Sequence, residues 1–205
     1  MPKLFYAPGA CSLGIHVLLE EIGAPFEAVR VNLREGEQFK PEFQAVNPKA
    51  KVPALVRDDG TTLTEFPAIA YYLAATNPQA GMLPQGPEAL ARAMEVTDYA
   101  VATVHMQGFS RIFRPANFAP SEADHEAVKA RGTEIFTKGL KALDAALEGK
   151  DFFAGAYSFA DMAPFYVSFW GAERLKLELP ARLAAHYAAM RARPAVQKVM
   201  EREGL

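Results

Sequence analysis

Lys3-Leu4-Phe5-Tyr6-Ala7-Pro8-Gly9-Ala10-Cys11-Ser12-Leu13-Gly14-Ile15 is the stretch from which the rest of the chain is read. Leu4-Phe5-Tyr6 is a short apolar run of the kind that makes a buried strand. Pro8-Gly9 breaks it. From Ser12 the spacing turns helical, with Ile15, Leu18, Leu19 and Ile22 at i, i+3, i+4 and i+7, until Gly23-Ala24-Pro25 stops the pattern. Cys11, the single cysteine, therefore sits where a strand ends and a helix begins. Free N–H groups and the positive end of the helix dipole collect there, and both favour a thiolate or another anion. The stretch leaves two readings open: Cys11 is a reactive thiol, or it is one group in a site that binds a thiol carried by a ligand.

Working outward, Phe26 to Leu33 alternates, with Val29, Val31 and Leu33 on one face, and predicts a strand. Strand, helix and strand form a βαβ unit with a right-handed crossover. Residues 34–50 are polar and irregular, with a turn at Asn47-Pro48. Val52 to Val56 and Thr61 to Thr64 are short β runs joined by Asp58-Asp59-Gly60, a hairpin signal. Thr64-Glu65-Phe66-Pro67 opens a helix through Ala68, Ile69, Tyr72 and Leu73, and Pro67 suits the first helical position. The order predicts a small mixed sheet with helices packed on it.

The Pro/Gly-rich stretch Asn77 to Pro87 marks the boundary between units. Residues 1–80 are expected to form the α/β unit, 81–87 the linker and 88–205 an all-helical unit. There Leu90, Met94, Thr97, Val101, Val104 and Gly108 define one seam, and Val128, Ile135, Phe136, Leu140, Leu143 and Leu147 a second. Ser158-Phe159-Ala160-Asp161 reads as a capping box ahead of an aromatic-rich helix from Pro164 to Leu175. Two shorter helices follow, about 180–191 and 195–203.

Composition narrows the function class. Of 205 residues, 50% are hydrophobic and 22% charged, and the net charge is −2. That balance fits a globular protein and gives no sign of a nucleic-acid partner or an anionic membrane surface. The start lacks a signal-peptide core, and no apolar run approaches the roughly 20 residues that span a bilayer. One cysteine makes no internal disulfide, which points to the cytoplasm, and no Cys/His cluster has metal-ligand spacing.

Several motifs together carry a resemblance. Phe5-Tyr6-Ala7-Pro8-Gly9-Ala10-Cys11-Ser12 resembles the amino-terminal signature of bacterial beta-class glutathione S-transferases. Val46-Asn47-Pro48-Lys49, Lys51-Val52-Pro53-Ala54-Leu55 and Leu63-Thr64-Glu65 with Ala68-Ile69 are similar to the same family. So are Gly108-Phe109 with Phe113-Arg114-Pro115, the Ser158 to Asp161 cap and Arg193-Pro194, so the resemblance covers essentially the whole chain. It implies a thioredoxin-like first unit that binds glutathione, an electrophile pocket between the two halves, a homodimer, and glutathione as co-substrate with no cofactor. Val52-Pro53 is then a cis-proline turn whose backbone pairs with the cysteinyl part of glutathione. Glu65 and the N–H of Phe66 hold the γ-glutamyl ammonium and carboxylate, as an acidic side chain and a helix N-terminus can. Tyr6, Ala10, Cys11, Lys51, Asp98 and His105 complete the expected glutathione contacts, with Cys11 and His105 the catalytic candidates. Phe109, Phe113 and Trp170 are expected at the electrophile pocket.

Plainer roles stand beside these. Cys11 alone is an ordinary small buried hydrophobe, Tyr6 on a core strand packs, and Glu65 is a helix-start carboxylate favoured by the dipole. Asp98, Ala102, His105 and Phe109 share one helical face at α spacing, yet counting back from Gly108-Phe109 puts Met106 where the family histidine belongs. His16, His125 and His186 have no context that suggests chemistry, and aromatic residues at helical spacing are core by default. Phe66 replaces the small residue, typically Ser, that follows the family's Glu, so a hydroxyl contact is lost. Three functions follow: transfer of glutathione to small hydrophobic electrophiles, disulfide reduction through a mixed disulfide at Cys11, and a non-catalytic carrier of glutathione or hydrophobic ligands.

Overall fold

The computed structural model describes residues 1–205. The chain groups into two units, Met1–Pro84 with Ala189–Leu205, and Gln85–Ala188.

In the first unit, β1 (Lys3–Tyr6), α1 (Ser12–Ile22) and β2 (Glu27–Arg30) form the βαβ start. They are followed by α2 (Pro41–Val46), β3 (Ala54–Val56), β4 (Thr62–Thr64) and α3 (Phe66–Thr76). Strand order is β2-β1-β3-β4. β1 and β2 run parallel with Leu4 opposite Ala28, while β3 is antiparallel to both β1 and β4. The three-residue turn Asp58-Asp59-Gly60, closed by the Arg57 N–H on the Thr61 carbonyl and with Gly60 at φ 80°, sets Val56 against Thr62.

Alternation along β1 decides the two layers. Leu4 and Tyr6 are buried on the side of α1, where Leu13, Ile15, Val17 and Leu18 are fully buried, each worth about 1.5–3 kcal/mol. Phe5 points the other way into a cluster with Ala7, Val31, Phe43 and Val52. Gly23 ends α1 at φ 74°, and its N–H returns to the Leu19 carbonyl. β2 stops at Arg30 rather than reaching Leu33, because Asn32 turns the chain and its N–H is taken by Glu37. The segment 34–50 is not wholly irregular: α2 lies inside it, six residues long with Phe43 alone buried, too little to show as a period.

The expectation of one helical unit over 88–205 needs correction. The last helix, α9 (Pro194–Glu203), belongs to the first unit and packs on α1. Arg193 clasps Glu21 through Nε and Nη2 at 2.6 and 3.1 Å. Lys198 and Arg202 both bind Glu20.

The second unit contains α4 (Pro87–Asp98), a π-helical run Tyr99–Phe109, α5 (Ser110–Phe113), α6 (His125–Ala146), α7 (Met162–Phe169) and most of α8 (Ala181–Arg191). The first seam differs from the α-periodic expectation. Ala93, Val96, Thr97, Ala100, Val104, Gly108 and Phe109 are buried, whereas Leu90, Met94 and Val101 are only half-buried. Hydrogen bonding from i to i+5 widens the turn after Asp98 and shifts the buried stripe from there on, while Leu90 and Met94 precede it on regular α-helix. α6 approaches this segment closely where side chains are absent: a Cβ on Gly139 would lie 2.6 Å from Val104, and one on Gly132 would lie 2.8 Å from the Gly108 carbonyl. α7 is buried on every face, as a central helix must be. The capping box forms, with the Asp161 carboxylate accepting from the Ser158 N–H at 2.9 Å. Asp161 also accepts from the Phe153 N–H at 3.1 Å and meets His186 Nε2 at 3.0 Å.

Candidate functional site

The strand-to-helix turn is held from beneath. Ser12 Oγ accepts from the Ala7 N–H and donates to the Ala7 carbonyl, which closes residues 7–12 into one loop. Gly9, at φ 66°, donates its N–H to Glu203 Oε2 at 2.8 Å. The other oxygen of Glu203 lies 2.8 Å from His16 Nδ1, with both side chains fully buried. His16, which carries no signal in the sequence, is thus a buried anchor of the turn. Its partner lies 187 positions away, beyond any local pattern.

On this base Cys11 caps α1 and is half-buried. Its thiol donates to the Val52 carbonyl at 3.4 Å. Burial pushes the Cys11 thiol from 9.0 up to about 12, against the smaller opposing pull of backbone N–H groups at Ser12 and Cys11 and of Lys51, with Glu65 adding to the rise. The expected stabilisation of a thiolate by the helix start is therefore outweighed at Cys11 itself. The sulfur is a protonated hydrogen-bond donor.

The Val52-Pro53 peptide is cis, and both residues are buried. The loop before it is organised by Asn47, whose Nδ2 donates to the Lys51 carbonyl at 2.7 Å and whose Oδ1 accepts from the Lys49 N–H. Asn47 belongs to a motif visible in the sequence, but its positioning task is seen only here. Lys51 itself is exposed. Glu65 sits one residue before α3 with φ 69°, a strained value for a residue with a side chain. Its exposed carboxylate accepts from Lys49 Nζ at 2.7 Å. Phe66 turns its side chain into the core, so its main chain is what it presents at the helix start. Ala10, half-buried, adjoins Cys11 in the turn.

Cys11 and Val52 touch, Lys51 and Glu65 act on the Cys11 charge, and these residues belong to one constellation. Tyr6 stands apart from it. Its ring is buried against His16, centroids 4.8 Å apart, and burial, with Glu203 nearby, holds the phenol above its usual pKa.

The second unit gathers the other candidates differently from the α-helical expectation. Asp98 and Ala102 are exposed, His105 is half-buried and Phe109 is buried, so the four do not share one face. The π turn between them is the reason. His105 stands edge-on to Trp170, centroids 4.7 Å apart, with Nδ1 3.3 Å from the Tyr166 hydroxyl. Trp170 stacks on Phe109 at 4.1 Å, and Phe109 on Phe113 at 5.6 Å. Trp170 and Phe109 are 4% and 8% exposed, while Phe113 at the end of the stack is 67% exposed. Met106, also exposed, contacts Ser110 instead. No three His, Cys, Asp or Glu side chains converge in a way that could hold a metal ion, and no helix is long and apolar enough to cross a membrane.

Residues 9–76 match the family described as glutathione S-transferase, N-terminal domain. The chain is 37% identical over 207 aligned positions to glutathione S-transferase GstA of Escherichia coli O157:H7, covering 99% of each. A sphingomonad glutathione S-transferase complexed with glutathione is 38% identical and superposes with a TM-score of 0.85, covering 99% of both chains. The beta-class enzyme of Sphingomonas chungbukensis is 34% identical, with TM-score 0.85 and the same coverage. Sequence, fold and the cis-proline constellation agree, and the chain belongs to the bacterial beta class of the glutathione S-transferase family.

Proposed function

We propose that the protein transfers glutathione to small hydrophobic electrophiles, and that Cys11 serves this reaction as a hydrogen-bond donor and not as a nucleophile. The carrying observation is the Cys11 thiol donating to Val52 with its pKa pushed up to about 12. A group so protonated contributes little thiolate at neutral pH, and thiolate is the reactive form.

The bound glutathione is extended along the cis-proline loop, its cysteinyl backbone paired with Val52. Its γ-glutamyl ammonium is taken by Glu65 and its carboxylate by the main chain at the start of α3. Its sulfur lies at the start of α1, where the N–H groups of Cys11 and Ser12 and the helix dipole lower the thiol pKa. The proton goes to solvent, the thiolate sulfur bonds to the electrophilic carbon, and the leaving group departs with the displaced electron pair. The stack of Phe109, Phe113 and Trp170 receives the apolar electrophile, and His105 supplies the polar edge of that cluster. The active form is a homodimer, in which Tyr71, an exposed aromatic on α3, is apolar surface for the second copy to cover. The reaction takes place in the cytoplasm, where glutathione is kept reduced.

Conjugation to an aryl halide and glutathione-dependent disulfide reduction, measured on wild type and Cys11→Ala, test this reading. Conjugation retained within several-fold in the variant supports it. Loss of both activities together would make Cys11 the covalent centre, and glutathione binding without turnover on any substrate would make the protein a carrier.

A further inference from the structure

Phe113 is the observation that calls for a cause. A guanidinium at the end of a helix, such as Arg114 after α5, needs no more than the negative end of the dipole to explain it. A large aromatic ring left 67% exposed is a different matter. Phe113 is also not a loose surface ring. It is the outer member of a stack whose inner rings, Phe109 and Trp170, lie within 14° and 18° of parallel to their neighbours and are buried. The Phe113 ring thus has one aromatic partner, Phe109, and otherwise only the Arg114 guanidinium over it at longer range.

The chain on either side of that ring is poor in carboxylates. Between Asp98 and Glu122 the chain carries Arg111, Arg114 and His105 and no carboxylate. Arg111 is committed, donating to the Gln107 carbonyl and side chain and covering the Phe118 ring at 4.4 Å. On the packed helix α6, Glu126 and Glu134 are paired with Lys129 and Arg131. Arg114 lies 5.9 Å from the Phe113 ring centre, and no carboxylate pairs with it. A planar cation lying loosely over the outermost ring of a stack matches a flat ring that carries an anionic group: ring on ring, carboxylate on guanidinium.

Resting on the reading that this stack receives the electrophile, we propose that Arg114 is a specificity residue that selects aromatic co-substrates bearing a carboxylate or similar anionic substituent, seated on Phe113. The neutral part of the ring gains the stacking; the guanidinium discriminates between charged and uncharged analogues.

The test compares 2-chloro-1,3-dinitrobenzene with 4-chloro-3,5-dinitrobenzoate, an aryl halide pair that differs only in the carboxylate. The readout is the ratio of their kcat/KM values in wild type, Arg114→Gln and Arg114→Lys. The ratio is expected to favour the carboxylate in wild type, to fall about three- to tenfold in Arg114→Gln, and to be partly restored in Arg114→Lys. Raised salt should lower it in wild type, since the pair is solvent-exposed. An unchanged ratio in Arg114→Gln, or an equal fall for both halides, overturns the proposal. Trp170 is the only tryptophan and sits in the stack, so its fluorescence reports binding without turnover. 3,5-Dinitrobenzoate should quench it at lower concentration than 1,3-dinitrobenzene, and Arg114→Gln should erase the difference. That measurement separates the failure of Arg114 as a selector from the failure of transferase activity, because it holds even if neither halide is turned over. Equal binding of the two nitroaromatics to wild type refutes the selector role.

Discussion

The state of Cys11 gives the sharpest test of the site, because two local effects oppose each other there. The helix start and Lys51 draw the pKa down, and burial drives it from 9.0 up to about 12. A rise of three units makes the thiolate about a thousandfold scarcer at pH 8. Cys11 is partly exposed and water screens part of that rise, so the expected effect is roughly a hundredfold or more. Alkylation of the single cysteine by iodoacetamide, followed by intact mass, measures this directly beside free glutathione as the reference. At pH 8 Cys11 should react at least about a hundred times more slowly than glutathione, and its rate should rise close to tenfold per pH unit up to pH 10. The same shift appears in stability, and its sign is fixed. The folded protein holds the proton to about pH 12, whereas the unfolded chain releases it near 9. The contribution is therefore fully present below pH 9 and is lost as pH rises toward 12. The stability difference between wild type and Cys11→Ala should shrink by about 1 kcal/mol per pH unit above pH 9, after allowance for solvent screening. Alkylation as fast as glutathione at pH 8, or a titration midpoint below 8, would refute the assignment of Cys11 as a donor and restore it as a nucleophile.

Four other substitutions separate positions that serve binding from positions that serve folding. Glu65→Gly relieves a positive φ and should leave stability equal or raise it by about 1 kcal/mol, while glutathione affinity by calorimetry falls more than about tenfold; a parallel loss of both would sink this reading. Glu203→Ala strips the fully buried His16 of its partner and should cost about 3 kcal/mol in urea unfolding, with a loss under about 1 kcal/mol counting against the anchor. Gly132→Ala should lose about 1–2 kcal/mol, because a Cβ 2.8 Å from the Gly108 carbonyl outweighs the roughly 1 kcal/mol that helix propensity returns; a stabilised variant would show that α6 can shift. Burial raises the Asp144 carboxyl, but the N–H groups of Leu183 and Arg182 outweigh it and hold the group below its usual range. Asp144→Ala should therefore cost about 1 kcal/mol at neutral pH, a cost that thermal melts show fading as pH falls below about 4.

What was legible in the sequence is what repeats or punctuates locally. β1, α1 and the β3–β4 hairpin follow from apolar spacing and from Pro8-Gly9, Gly23 and Asp58-Asp59-Gly60, each of which acts on its nearest neighbours. The cis peptide at Val52-Pro53 was expected from a motif and is present. Three features were hidden, for three physical reasons. α2 buries Phe43 alone, so it has no period to find. The run Tyr99–Phe109 departs from α geometry, so the inference that aligned Asp98, Ala102, His105 and Phe109 applied the wrong turn to the right residues. His16 and Glu203 meet across 187 positions, and nothing local distinguishes a buried, paired histidine from one in solvent. Local signals likewise do not choose between the two readings that the sequence leaves open for Cys11. A helix start is written into the sequence, but the burial that raises the Cys11 pKa, and the Val52 carbonyl that accepts the thiol's hydrogen bond from 41 residues away, come from the tertiary fold. Local chemistry thus marked the candidate residues, and burial and long-range partners set the surroundings of each. A lone cysteine at a helix N-terminus is therefore a reason to look for its acceptor before assigning it a nucleophile's role.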